Sequence, residues 1–153
     1  MDNQENEVKK NRDEFIAQRR EAREQCFAVL FEMTFNADES YEEILEKAVE
    51  SRLIVANDYT IKLLKYYAEN SEAIDNIIRE NVKGWNFNRI SRVPLSVLRM
   101  AVSELQCTKT PKSVVINEAV ELTKKYAAPK ESKFVNGVLG AMVSTNKGDS
   151  NER

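Results

Sequence analysis

The chain has 153 residues, of which 42% are apolar and 31% charged, and a net charge of −2; this suits one globular domain with a real core and excludes a largely disordered chain. No apolar run approaches the roughly 20 residues of a membrane span, and the polar N-terminus lacks an apolar signal region, so a cytoplasmic protein is expected. The chain contains no histidine, the commonest general base and metal ligand, and it has no Cys-x-x-Cys pair, Walker-type glycine loop or dinucleotide fingerprint; neither catalysis nor a cofactor or metal is expected.

In chain order, residues 1–10 are polar and read as a flexible extension. A long helix is predicted from about Asn11 to Phe35, with Phe15, Ala22, Cys26, Val29 and Met33 on one core-facing arc. Ser40 is placed to cap a second helix, with Glu43 three residues on completing a capping box; Glu42, Glu43 and Glu46 are its wet side. A third helix is predicted from about Val55 to Asn70. A fourth, capped by Ser71 and carrying Ile74, Ile77 and Ile78 inward, ends near Gly84. Trp85 and Phe87 lie in a connector and read as packing anchors. Pro94 suits the first turn of the next helix, whose apolar stripe includes Leu95, Leu98, Ala101, Val102 and Leu105. The segments Val114–Tyr126 and Lys133–Leu139 supply the last two helices. Cys26 and Cys107 fall within apolar stripes and are expected as reduced thiols. The expected fold is all-α, a bundle of about seven helices in two packed halves of about three to four. The bundle covers residues 11–147, with a flexible tail at 148–153.

Charge is unevenly spread: residues 91–147 carry nine basic and four acidic groups. On the first helix Arg12, Arg19 and Arg23 fall within roughly 40° of one another, whereas Asp13, Glu14, Glu21 and Glu24 project away from them. Such a row can track a phosphate backbone, because guanidinium forks match phosphate oxygens; a solvated face with local ion pairs is the alternative. Lys133, Phe134 and Asn136 together offer a charge, a stacking surface and an amide able to read a base edge, the combination that single-stranded RNA requires. Phe134 could equally be the first core residue of its helix, with Val138 at i+4. Asn117 and Glu118 are open in the same way, between local bonds and a ligand.

The sequence Arg20-Glu-Ala-Arg23 with the apolar run ending Leu30-Phe31, then Val97–Leu105, Pro111 with Val115–Leu122, and Lys133-Phe-Val-Asn-Gly-Val-Leu139, resembles the NusB family of bacterial transcription antitermination factors in order and spacing. The resemblance covers about Arg19 to Val143. It implies an all-helical fold of two small bundles, no enzyme activity, and binding of the boxA element of nascent ribosomal RNA together with the ribosomal protein NusE, in a complex that carries RNA polymerase through terminators. Carried over residue by residue, the family's arginine-rich first helix corresponds to Arg19, Arg20 and Arg23, and its Lys-Phe-Val-Asn-Gly motif to Lys133, Phe134, Asn136 and Gly137. These seven residues are the expected RNA contacts. Two rival readings are an RNA-binding module of the same fold serving another process, and a helical adaptor that binds only protein.

Overall fold

A computed structural model describes residues 2–51, 53–82 and 84–151, with side chains described as far as residue 144. Among the described residues there are six α-helices and no strand: α1 (Asp2–Met33), α2 (Tyr41–Glu50), α3 (Asp58–Asn81), α4 (Arg92–Cys107), α5 (Lys112–Tyr126) and α6 (Pro129–Asn151), with a short 3-10 turn at Phe87–Arg89. None of these helices is long and apolar enough to cross a membrane.

The helix starts and stops follow local chemistry. The Ser40 hydroxyl accepts the Glu43 amide at 3.2 Å, capping α2 as expected. The Asn57 side chain does the same for α3, accepting the Tyr59 amide at 2.8 Å. Proline opens α6 at Pro129, four residues' worth of helix ahead of Lys133, where its missing N–H is no loss. Gly84, at φ 79°, makes the turn before the 3-10 segment, in a region of backbone space that side chains with a Cβ rarely enter.

Two expectations about element boundaries are corrected. The third and fourth predicted helices are one helix, α3, kinked where Asn70 takes φ −129° and ψ 22°. The Asn70 amide donates to the Tyr66 carbonyl at 2.9 Å, which satisfies the bend, so Ser71 does not begin a new element. Helix α1 starts at Asp2, not near Asn11, and every residue from Asp2 to Gln18 is exposed. Phe15, expected in the core, is 55% exposed. Periodicity extends the apolar face of α1 toward its start, but the elements that cover that face reach only to about Ala22, the first buried residue. The expected tail, 148–153, lies where side chains are not described, and its last two residues lie outside the described chain, as does Met1 of the expected extension.

The two halves are α1–α3 and α4–α6, and α4 joins them. It packs on α1 and α3 as well as on α5 and α6, and Val97, Leu98, Met100, Ala101 and Val102 along it are at most 1% exposed. A helix buried on nearly every side must be apolar nearly all round. Of its fully buried polar residues, Ser96 and Ser103 bond back to carbonyls of their own helix, and Glu104 is the one that carries a charge. Around α4 runs one continuous core that includes Leu30, Leu63, Ile74, Val115 and Leu139. Both cysteines are free, Cys26 buried and Cys107 half-buried, and burial pushes the Cys26 thiol well up from its usual range, which keeps it protonated and inert.

Candidate nucleic-acid interface

Glu104 explains much of the arginine end of the molecule. A carboxylate taken out of water needs a partner, and Arg23 supplies it across the α1–α4 contact with two parallel hydrogen bonds of 2.8 Å each. The Tyr59 hydroxyl from α3 donates to the same carboxylate at 2.5 Å. Burial alone would lower the Arg23 pKa, but the hydrogen bond and charge of Glu104 outweigh it and hold the guanidinium above its ordinary value. Burial, then the bond to Glu104, raises the Tyr59 phenol, so it stays a donor. Every polar group in this cluster is paired, the condition under which buried ion pairs are tolerated.

Arg23 is 5% exposed. Its guanidinium faces inward because Glu104 claims it, which leaves little of it at the surface. Arg19 and Arg20 are different. Arg19 meets two rings, its guanidinium 4.6 Å from the Phe15 centroid and 3.9 Å from that of Tyr59, contacts that hold a cation without using its N–H donors. Arg20 has a side chain 65% exposed and meets Glu118 of α5 at 2.7 Å, an exposed contact of the kind that contributes little and yields readily. Glu118, left open by the sequence, thus bonds within the bundle, while Asn117 beside it is exposed.

The second group sits at the start of α6. Lys133, Asn136 and Gly137 are exposed on one side of the helix, while Val135, Val138 and Leu139 are buried on the other. Phe134 is half-buried: it packs on the core and presents its ring to Trp85, 5.4 Å away and tilted by 60°. Both readings of Phe134 are therefore partly realised. Trp85 is not the packing anchor expected of it, being 62% exposed, whereas Phe87 does pack on the core. A Cβ added at Gly137 would meet nothing within 4 Å, so no packing within the protein demands glycine there. Arg89 and Lys130 line the shallow cavity beside Trp85 and Phe134, and among the described residues neither they nor Lys133 enter an ion pair.

The structure brings Arg19, Arg20 and Arg23 together, and separately Lys133, Phe134, Asn136 and Gly137; no hydrogen bond, ion pair or ring contact joins the groups among the described residues. The seam between α1 and α5 connects them. Arg20 meets Glu118, and one turn further along α1 Glu24 meets Lys125 at 2.6 Å and accepts the Tyr126 hydroxyl, so side chains of α1 and α5 bridge the two helices at two levels. Glu118 to Tyr126 covers about 12 Å at the rise of an α-helix, and α6 begins just beyond. Sequence reasoning passed over Tyr59, Glu104, Trp85 and Tyr126 as parts of this face. Glu104 carried the clearest signal, as the lone acid inside the apolar run from Val97 to Leu105.

With that geometry the chain can be set beside known proteins. The NusB family model matches residues 20–144. The transcription antitermination protein NusB of Clostridium botulinum (strain Loch Maree / Type A3) is 39% identical over 140 residues, an alignment covering 82% of this chain and 99% of that protein. Among solved structures, T. maritima NusB superposes with a TM-score of 0.74 at 34% identity, covering 82% of this chain and 90% of the other. A chain from a crystal structure of the antitermination factors NusB and NusE in complex with double-stranded RNA gives 0.75 at 34% identity, covering 84% and 98%. The motifs, the all-helical bundle and these matches agree: the chain belongs to the NusB family.

Proposed function

We propose that the chain is a transcription antitermination factor that binds boxA RNA of nascent ribosomal transcripts together with the ribosomal protein NusE, as part of the assembly that carries RNA polymerase through terminators. The observation that carries this reading is the presence of two cation-bearing groups, Arg19 with Arg20 and Lys133 with Phe134, either side of the side-chain bridges between α1 and α5, on a chain whose relatives are named transcription antitermination proteins.

Each residue has a physical task. Arg19 and Arg20 hold phosphates, Arg19 by the N–H donors its ring contacts leave unused. Phe134, backed by Trp85, offers its open face to a base. Asn136 reads a base edge with its amide, and Gly137 lets the RNA backbone come close to α6. Arg23 keeps α1 in register by its bond to Glu104. The exposed pairs Arg20–Glu118 and Lys125–Glu24 act as placeholders, opening so that their cations face phosphate. The protein works by ordering RNA and protein partners in the cytoplasm, without catalysing a reaction.

The test is binding of labelled boxA RNA and a scrambled control, with and without NusE. The expected result is selective binding strengthened by NusE. Equal, weak and salt-sensitive binding to both RNAs, unchanged by NusE, contradicts the reading and favours a helical module serving another partner.

A further inference from the structure

The exposed start of α1 builds one wall of a cleft, and that wall lies before the residues that the family match covers. Arg12, Phe15 and Arg19 recur at i, i+3 and i+7 and so share a face, and the match begins only at residue 20. Facing them are Lys62 and Tyr59 of α3 and Lys109 from the connector between α4 and α5, around a volume of about 970 Å³. Among the described residues, none of Arg12, Arg19, Lys62 and Lys109 enters an ion pair. The only carboxylate lining the cleft among those residues is Glu118, already engaged by Arg20 and Arg23. The cleft thus presents cations without ion-pair partners at an open site, together with the Phe15 ring, which meets Arg19 yet stays 55% exposed.

We infer that this cleft takes single-stranded RNA flanking the boxA element, its phosphates on Arg12, Lys62 and Lys109 and a base on Phe15. The inference rests on the RNA-binding reading above and extends its track past Arg19, which lines the cleft, to Arg12 at the start of the arginine row. Charge decides the class of partner: cations without ion-pair partners favour a polyanion, and a ring among them suits bases, since every base has a π-face. An apolar protein surface would leave those cations buried without counter-charges, a costly arrangement.

The experiment measures affinity for a boxA RNA alone and for the same RNA extended on either side by a uridine tract of about eight nucleotides. For the wild-type chain, extension on one side is expected to tighten binding about tenfold, a stacked base being sufficient for that. Lys62→Ala with Lys109→Ala removes the gain and makes the log–log salt slope for extended RNA shallower by about 1.4, and Phe15→Ala also removes the gain. Lys62 and Lys109 are exposed, so their variant should bind the unextended RNA as before, which shows that it is folded; Phe15→Ala also takes away a ring beside Arg19, so its folding is read from an unchanged circular dichroism spectrum and its effect from the gain on extension alone. No gain on extension, or a gain that the variants keep, overturns the inference, as does a dimer seen by sedimentation that Phe15→Ala dissolves. If boxA and scrambled cores bind alike yet the uridine tract still adds affinity that the variants lose, the cleft is an RNA site and only the boxA reading fails.

Discussion

The two ends of the α1–α5 seam present cations in opposite ways. At the arginine end the exposed groups stand on a buried polar network, with Tyr59 holding Arg19 and Arg23 fixed by Glu104. At the α6 end Lys133, Asn136 and Gly137 stand on the outer side of a helix whose inner side is apolar, and only Phe134 has a foot in the core. The contrast teaches that loss of RNA binding means different things at the two ends: at the first, fold and contact are entangled, and at the second they come apart.

The largest effect should come from breaking the network. Glu104→Ala leaves the buried Arg23 without its two short hydrogen bonds and with only Glu118, 3.6 Å away, as counter-charge, and is expected to cost about 3 kcal/mol of stability, read as a lower urea midpoint; a loss below about 1 kcal/mol would show that Glu118 or water takes over the pairing. Next, Phe134→Ala removes a stacking surface, and RNA affinity should fall by about 1–3 kcal/mol while helical content by circular dichroism is kept. The same variant changes the surroundings of Trp85, the chain's one tryptophan, so a shift in its emission reports the lost contact directly. Arg20→Glu should leave stability within about 0.5 kcal/mol but make the RNA salt slope shallower by at least about 0.7, separating it from Glu104→Ala. Smallest is Gly137→Ala. With open space around the added Cβ, alanine in this helix should stabilise the fold by about 0.4–1 kcal/mol, and lower RNA affinity alongside that gain would mean that glycine is kept for the RNA's approach.

The helices were legible in the sequence because their apolar stripes are long and their caps are local: Ser40 and Pro94 act within a turn of where they stand. The kink at Asn70 was not, since a capping serine and a mid-helix serine look alike until the Asn70 amide is seen to satisfy the bend. Burial along α1 was misread at Phe15 because periodicity says which way a residue points and nothing about whether another element lies there. The site divides in the same way. Arg20, Lys133 and Asn136 were readable as exposed polar groups on helix faces, and the structure leaves them exposed. Arg23 shares the stripe of Arg19 but turns inward, for a reason 81 positions away at Glu104 that no local pattern carries.

The most direct test of the account is a map of backbone amide shifts by nuclear magnetic resonance as boxA RNA is added. A single RNA bound along the seam should move the amides of Arg19 and Arg20 and those of Lys133 to Gly137 together, saturating at the same RNA concentration. Shifts confined to one end, or two ends saturating at different concentrations, would contradict one continuous RNA track.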